Sequence, residues 1–286
     1  MQGNPESPLP ETASAPLEDL LAAPPPPPAT LPAPALAPRD IWTLRDLLLF
    51  VAFLPFAFLA ANLLGFTAYV VLRPFAGWHT RVDLLPSNTF FSLILQSVFY
   101  VFVLGYLVLL ARLLHHQPLW KSLGWRMPTG REVLGCLAGG GGLAIFVSIL
   151  LTLVPDTHDF PLERLFTSSA ASYAIGAFAI GIAPVVEELV FRGLLFAIFE
   201  RSVGMRFAVL STAVLFAGLH IPEYWHAWNH VGMILIVGMV FSMARGVTGT
   251  ITPSIFLHVG YNSLIMTGLY LSTQHFRVLH AWIAGL

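Results

Sequence analysis

Charge is what this sequence has least of. Asp, Glu, Lys and Arg make up 10% of its 286 residues, against 56% hydrophobic residues and a mean hydropathy of +0.76. A soluble domain carries roughly 25% charged residues to cover its water-facing surface. That shortage excludes an ordinary soluble globule and identifies an integral membrane protein, with membrane lipid as its first partner. The net charge of -1 offers no basic surface, so no nucleic-acid partner is expected. Cysteine is nearly absent: Cys136 stands alone, which excludes an intrachain disulfide and a multi-cysteine zinc site. It reads as a small apolar residue within a helix. The first 38 residues contain Glu6, Glu11, Glu18 and Asp19 but no Lys or Arg, and they lack the basic and apolar regions of a secretory signal. With the unbroken run Pro24–Pro28, this tail cannot bury a core and is expected to be disordered or polyproline II. No internal repeat is found.

Long apolar runs are abundant. A spanning helix needs about 20 mostly apolar residues, and Leu47–Leu72, with an internal Pro55, is the first to qualify. Thr89–Ala111, Val133–Val154 and Ala171–Phe199 follow, then a shorter Phe207–Ile221, Val231–Ala244 and Ser254–Thr273. The third run includes GCLAGGGG, whose Gly135 and Gly139 have the small-xxx-small spacing of close helix packing. Thr252-Pro253 reads as the N-cap and first-turn proline of the last run. The expected fold is all-α: a polytopic transmembrane helical bundle of about seven or eight spans, with a polar active-site cavity in the membrane. With the N-terminus inside, nine basic residues flank the inner ends, including Arg39, Arg45, Lys121, Arg126 and Arg201, against Arg73, Arg81, Arg164 and Arg277 outside. The positive-inside rule therefore predicts a cytoplasmic N-terminus, in the inner membrane if the host is bacterial. His115–Arg131, with Trp120 and Trp125, reads as a cytoplasmic loop anchored at the headgroups.

Against this background the polar residues inside spans stand out. APVVEELVFRG, residues 183–193, places Glu187, Glu188 and Arg192 in one apolar run. A charge at mid-helix is unfavourable by about 2.5–3.5 kcal/mol on insertion scales, so three need compensation. Glu188 and Arg192 are i and i+4 in the favoured order for an ion pair. Glu187 is turned about 100° around the axis and is left as a spare carboxylate. Pro184, one turn earlier, removes a backbone donor and bends the chain at the start of the segment. FAGLH places Phe216 and His220 one turn apart, and HVGYN places His258 and Asn262 on one face of the last run. At 1.5 Å per residue, Glu187 lies about 18 Å and His220 about 20 Å from the inner ends of their runs, with His258 and Asn262 roughly 6–18 Å from theirs. One polar site at a shared depth accommodates all four.

Two mechanisms fit this set. A carboxylate beside a neutral imidazole can hold a water and take its proton, while an imidazole and a carboxamide donate to a developing oxyanion. Glu187, His220 and His258 also form a Glu/His/His set for zinc with an open fourth position, although HExxH is absent. A single membrane histidine more often bonds helix to helix; it is the joint set at matching depth that favours a site. His226 and His230, among Tyr224, Trp225 and Trp228, read instead as part of an outer aromatic belt. Two further classes use such clusters: a scaffold or immunity protein that holds a partner, and a proton-coupled transporter. The transporter expects inverted repeats, and none is found.

EELVFR resembles the EExxxR motif of the CPBP family, the CAAX proteases and bacteriocin-processing enzymes that include the Ras-converting prenyl protease. FAGLH is similar to that family's FxxxH motif, HVGYN to its HxxxN motif, and TGTITPSIFLH to the stretch before the third motif. The resemblance covers about residues 120–270. It implies an intramembrane endopeptidase of CAAX type whose cavity opens toward the cytoplasm. On the matched positions, Glu187 and His220 activate water, His258 and Asn262 form the oxyanion hole, and Glu188 and Arg192, with Phe216, support the geometry. It further implies a metal-free mechanism with no cofactor and a membrane-associated or prenylated peptide as substrate, zinc being the alternative. The expected organisation is a Pro-rich cytoplasmic tail at 1–40, N-terminal transmembrane helices at 41–115, a CPBP-like protease core at 116–274 and a short C-terminal tail at 275–286.

Overall fold

The computed structural model describes residues 41–154 and 161–278. The chain divides into Met1–Ala35 and Leu36–Leu286, and only the second contains described residues. The expectations for the Pro-rich tail, and for the end of the C-terminal tail, lie outside the described residues.

Every regular element among the described residues is helical. Helix α1, Leu44–Ala76, starts at a capping box in which Thr43 and Asp46 satisfy each other's backbone donors, and it ends at Gly77 in the left-handed region. Pro55 lies inside α1 without ending it. Asn88 caps α2, Thr89–Leu113. A short α3, Leu119–Ser122, leads to α4, Gly130–Leu153, which opens on a second capping box, Thr129 with Glu132. Ser168 caps α5, Ser169–Gly181. The chain breaks at Ile182 and restarts as α6, Ala183–Glu188, with Pro184 in its first turn, where a missing N–H leaves no helical bond unmade. The same helical rod continues as a π-helix, Leu189–Leu195, and as α7, Phe196–Val203. Helices α8, Met205–Leu219, α9, Trp228–Thr248, and α10, Thr252–Ser272, complete the bundle.

Five of these stretches are long and apolar enough to cross a membrane: α1, α2, α4, the rod Ser169–Val203 and α9. The seven-span expectation counted two more. Helix α8, at 15 residues, reaches about 22 Å, short of the roughly 30 Å hydrocarbon layer. Helix α10 has the length, but Thr252, Ser254, His258, Asn262, Ser263 and Thr267 dilute its hydropathy. It packs against α4 and α9. Its first residue is Thr252, so Ile251 takes the N-cap position; the Thr252 hydroxyl bonds the Arg126 carbonyl at 2.6 Å instead of capping its own helix.

Helices α4 and α10 meet backbone to backbone. A Cβ on Gly140 would collide with the Leu257 carbonyl, and one on Gly260 with the Leu137 carbonyl. The glycine run therefore works through Gly140, one residue beyond the spaced pair read from the sequence, while Gly135 faces open space. Opposite outcomes are expected at the two positions. Gly140→Ala should lower stability by about 1–3 kcal/mol through overpacking, and Gly135→Ala should raise it by about 0.5–1 kcal/mol by removing backbone freedom. Thermal unfolding in one detergent checks both.

The loop between α3 and α4 closes the bundle at the end where α9 passes to α10. Ile251 N–H and the Thr250 hydroxyl both bond the Gly124 carbonyl, at 3.2 and 2.7 Å. Gly124 has φ +73 and lies against the Arg245 guanidinium, so the turn demands glycine for both conformation and space. Trp42 and Leu123 are fully buried beneath this loop, with the indole N–H donating to the Ser122 carbonyl at 2.8 Å. Trp120 is half exposed and lies edge-on to Trp125.

Candidate active site

Arg192 and Glu188 are both completely buried and lie 2.8 Å apart, from Nη1 to Oε1. The rest of the guanidinium is satisfied too. Nη2 donates to the Gly238 carbonyl at 2.9 Å and Nε to the Ser242 hydroxyl at 3.2 Å, while the cation lies 4.7 Å from the Phe216 ring centre. Ser242 is held in turn by Thr212, 2.9 Å away on α8. A π-helix is rare and tends to appear at functional sites. Here its Arg192 carbonyl accepts from Arg245 Nε on α9 at 2.9 Å. Arg192 is thus tied on both its side chain and its backbone, and α6, the π-helix and α9 are clamped together around it.

The same carboxylate oxygen of Glu188 accepts from His258 Nδ1 at 3.0 Å. Because a carboxylate only accepts at this contact, Nδ1 carries the proton. In the neutral ring, Nε2 is then bare; it becomes a donor only in the imidazolium form. That nitrogen lies 3.8 Å from Oε2 of Glu187. His258 is therefore flanked by both glutamates, with Phe241 and Phe216 packed on its ring at 4.9 and 5.9 Å.

Glu187 differs from its neighbour. Its side chain retains 19% exposure, where Glu188 has none. Its Oε1 accepts from the Tyr100 hydroxyl at 2.9 Å, and it takes no bond from Arg192. The rotation that separates adjacent helical residues thus sends one carboxylate into the ion pair and the other toward open space.

His220 is the C-cap residue of α8, and its Nδ1 donates to the Phe216 carbonyl at 2.8 Å. This bond fixes the tautomer and leaves Nε2 as the acceptor of the neutral ring. Phe216 links the histidines, with its ring centre 4.6 Å from His220 and 5.9 Å from His258. Asn262 is placed differently. Its Nδ2 donates to the Ala179 carbonyl on α5 at 2.7 Å, so one of its two N–H groups is occupied by backbone. The structure gathers Glu187, Glu188, Arg192, Phe216, His220 and His258 around one locus, and Asn262 joins α10 to α5 one turn beyond His258.

Three contributors escaped the motif reading. Tyr100 arrives from α2, and Ser242 from α9. Both are polar groups inside apolar runs, the signal that singled out the glutamates. The third, Glu223, sits in the turn after His220. Part of its side chain meets solvent, yet its carboxyl is desolvated enough to be pushed above the ordinary carboxylate range; His220 offsets this in part, and Glu187 adds to it. His226 and His230 stay with the aromatic turn: Trp225 lies 5.6 Å from His226 and from Trp228, and Tyr224 stacks on His230.

The zinc alternative requires three donors around one point. Among the described residues, no group of three His, Cys, Asp or Glu is placed to hold a metal ion. Glu187, His220 and His258 as arranged do not fit that role, and a metalloprotease reading gains no support from them.

Residues 169–264 match the family model described as type II CAAX prenyl endopeptidase Rce1-like. No curated protein and no solved structure matches the chain. The matched stretch runs from α5 into α10 and contains every motif residue described above, with α1, α2 and α4 outside it. Residues 169–264 are thus similar to the type II CAAX prenyl endopeptidase Rce1-like family, consistent with the CPBP resemblance of the motifs.

Proposed function

We propose that this protein is an intramembrane endopeptidase that hydrolyses a peptide bond in a membrane-associated or lipidated peptide, using water activated by Glu187 and His220. The observation that carries the reading is the division of labour between adjacent glutamates. Glu188 is fully buried with its Oε1 held by Arg192 and His258, while Glu187 keeps partial exposure beside His258, in a stretch that matches an endopeptidase family model.

In this reading a water bound between Glu187 and His220 gives its proton to the carboxylate as its oxygen attacks the carbonyl carbon. A C–O bond forms, and the carbonyl electron pair becomes an oxyanion. The oxyanion is stabilised by the second N–H of Asn262 and by His258, whose Nε2 donates when the ring is protonated. Collapse breaks the C–N bond, and the proton held by Glu187 passes to the departing amine. No step passes through a metal. Full activity after chelation, with less than stoichiometric zinc by elemental analysis, is the expected result; one zinc per chain and loss of activity on chelation would overturn the metal-free route.

The excess of basic residues at one set of helix ends supports a cytoplasmic N-terminus and a cavity facing the cytoplasm. The experiment for function in cells is a comparison of small membrane-bound peptides with and without an active Glu187. Accumulation of an uncut, lipidated precursor in Glu187→Gln cells is expected. A phenotype that persists in Glu187→Gln and disappears in Gly140→Ala would instead identify a scaffold.

A further inference from the structure

Tyr100 lies near the middle of α2, about 17 Å from its first residue. Tyrosines in membrane proteins favour the interfaces, where the hydroxyl reaches water. A mid-span phenol needs a partner inside the protein, and the partner here is a carboxylate on another helix. Its ring stacks on Phe178 of α5, centres 5.7 Å apart at 20°, so the hydroxyl is aimed by packing on one side and by Glu187 on the other. The bond goes to Oε1 and leaves Oε2 toward His258.

From this geometry we infer that Tyr100 is a positioning residue for Glu187. It pins one carboxylate oxygen so that the other is presented to the water. The inference rests on the reading of Glu187 as the base, and it extends the site beyond residues 169–264 to a helix the family match does not cover. Helix α2 thereby contributes to the chemistry as well as to the membrane anchor. A hydroxyl donating to a charged group is a strong form of hydrogen bond, and it costs no reorganisation if it is already in place before substrate arrives.

The test uses the full chain in detergent with a prenylated fluorogenic peptide. Tyr100→Phe keeps the ring and its stacking on Phe178. It should lower kcat by about tenfold to a hundredfold, with KM and the thermal midpoint unchanged. Tyr106→Phe on the same helix removes a hydroxyl that bonds the Leu49 carbonyl and should leave kcat as it was. Incorporation of 3,5-difluorotyrosine at Tyr100, which alters donor strength and little else, should shift kcat without changing KM. Wild-type kcat in both Tyr100 variants, or a fall in Tyr100→Phe that follows a lowered midpoint with no response to fluorination, overturns the positioning role while leaving Glu187 as the base. Retained activity in Glu187→Gln overturns the base reading and the positioning role with it.

Discussion

Glu187→Gln should reduce peptide hydrolysis by about 10²–10⁴-fold, the usual contribution of a positioned general base, while the protein folds and inserts as before. The amide is isosteric with the carboxylate and can still accept from Tyr100 through its carbonyl oxygen, so the hydrogen bond to α2 survives. The ion pair of Glu188 with Arg192 does not involve Glu187. What is lost is an oxygen basic enough to take the water's proton. The measurement is kcat on a prenylated fluorogenic peptide beside the unfolding midpoint of the same preparation. A variant with wild-type turnover would move the working role away from Glu187. The scaffold alternative makes the opposite prediction for cells, since a partner-binding cluster tolerates a neutral isostere of the same shape.

The second large effect is on stability. Arg192→Met should destabilise the protein by about 3–5 kcal/mol, because removing one member of a buried pair leaves the other charge uncompensated. Four interactions disappear together: the bonds to Glu188, Gly238 and Ser242, and the contact with Phe216. Glu188 and Arg192 share a network, so their effects should not add. The double variant Glu188→Gln/Arg192→Met should recover part of the loss by removing the stranded carboxylate. Unfolding midpoints of the two single variants and the double variant decide this; a double variant as unstable as the sum of the singles would show that the pair is not a unit.

Much of this was legible in the sequence because charge is so scarce. In a chain with 10% charged residues, three charges in eleven positions stand out and call for compensation. Helical spacing alone assigned Glu188 to Arg192 and set Glu187 apart, and the structure has this pairing. Tyr100 was harder to see, because a phenol inside a run of Phe, Val and Leu reads as one more aromatic until its partner is known. The bond of His258 to Glu188 was hidden for a related reason. It joins residues 70 positions apart on α10 and α6, and periodicity within one helix says nothing about rotation between two. The π-helix was also invisible: nothing in the local pattern of LVFRGLL marks it, and the bond from Arg245 to its Arg192 carbonyl comes from another helix. Of the seven runs read as spans, five have the length and apolarity of a crossing, while α8 is shorter and α10 carries His258, Asn262 and several hydroxyls.

The division between the two glutamates is central to the proposed chemistry. Its most direct test measures, in one purified preparation, the hydrolysis rate and the unfolding midpoint of Glu187→Gln and Glu188→Gln. The predicted result is crossed: Glu187→Gln loses turnover with its midpoint unmoved, and Glu188→Gln loses stability, its remaining folded fraction retaining turnover above that of Glu187→Gln. Full turnover in Glu187→Gln, or a lowered midpoint there with none in Glu188→Gln, would contradict it.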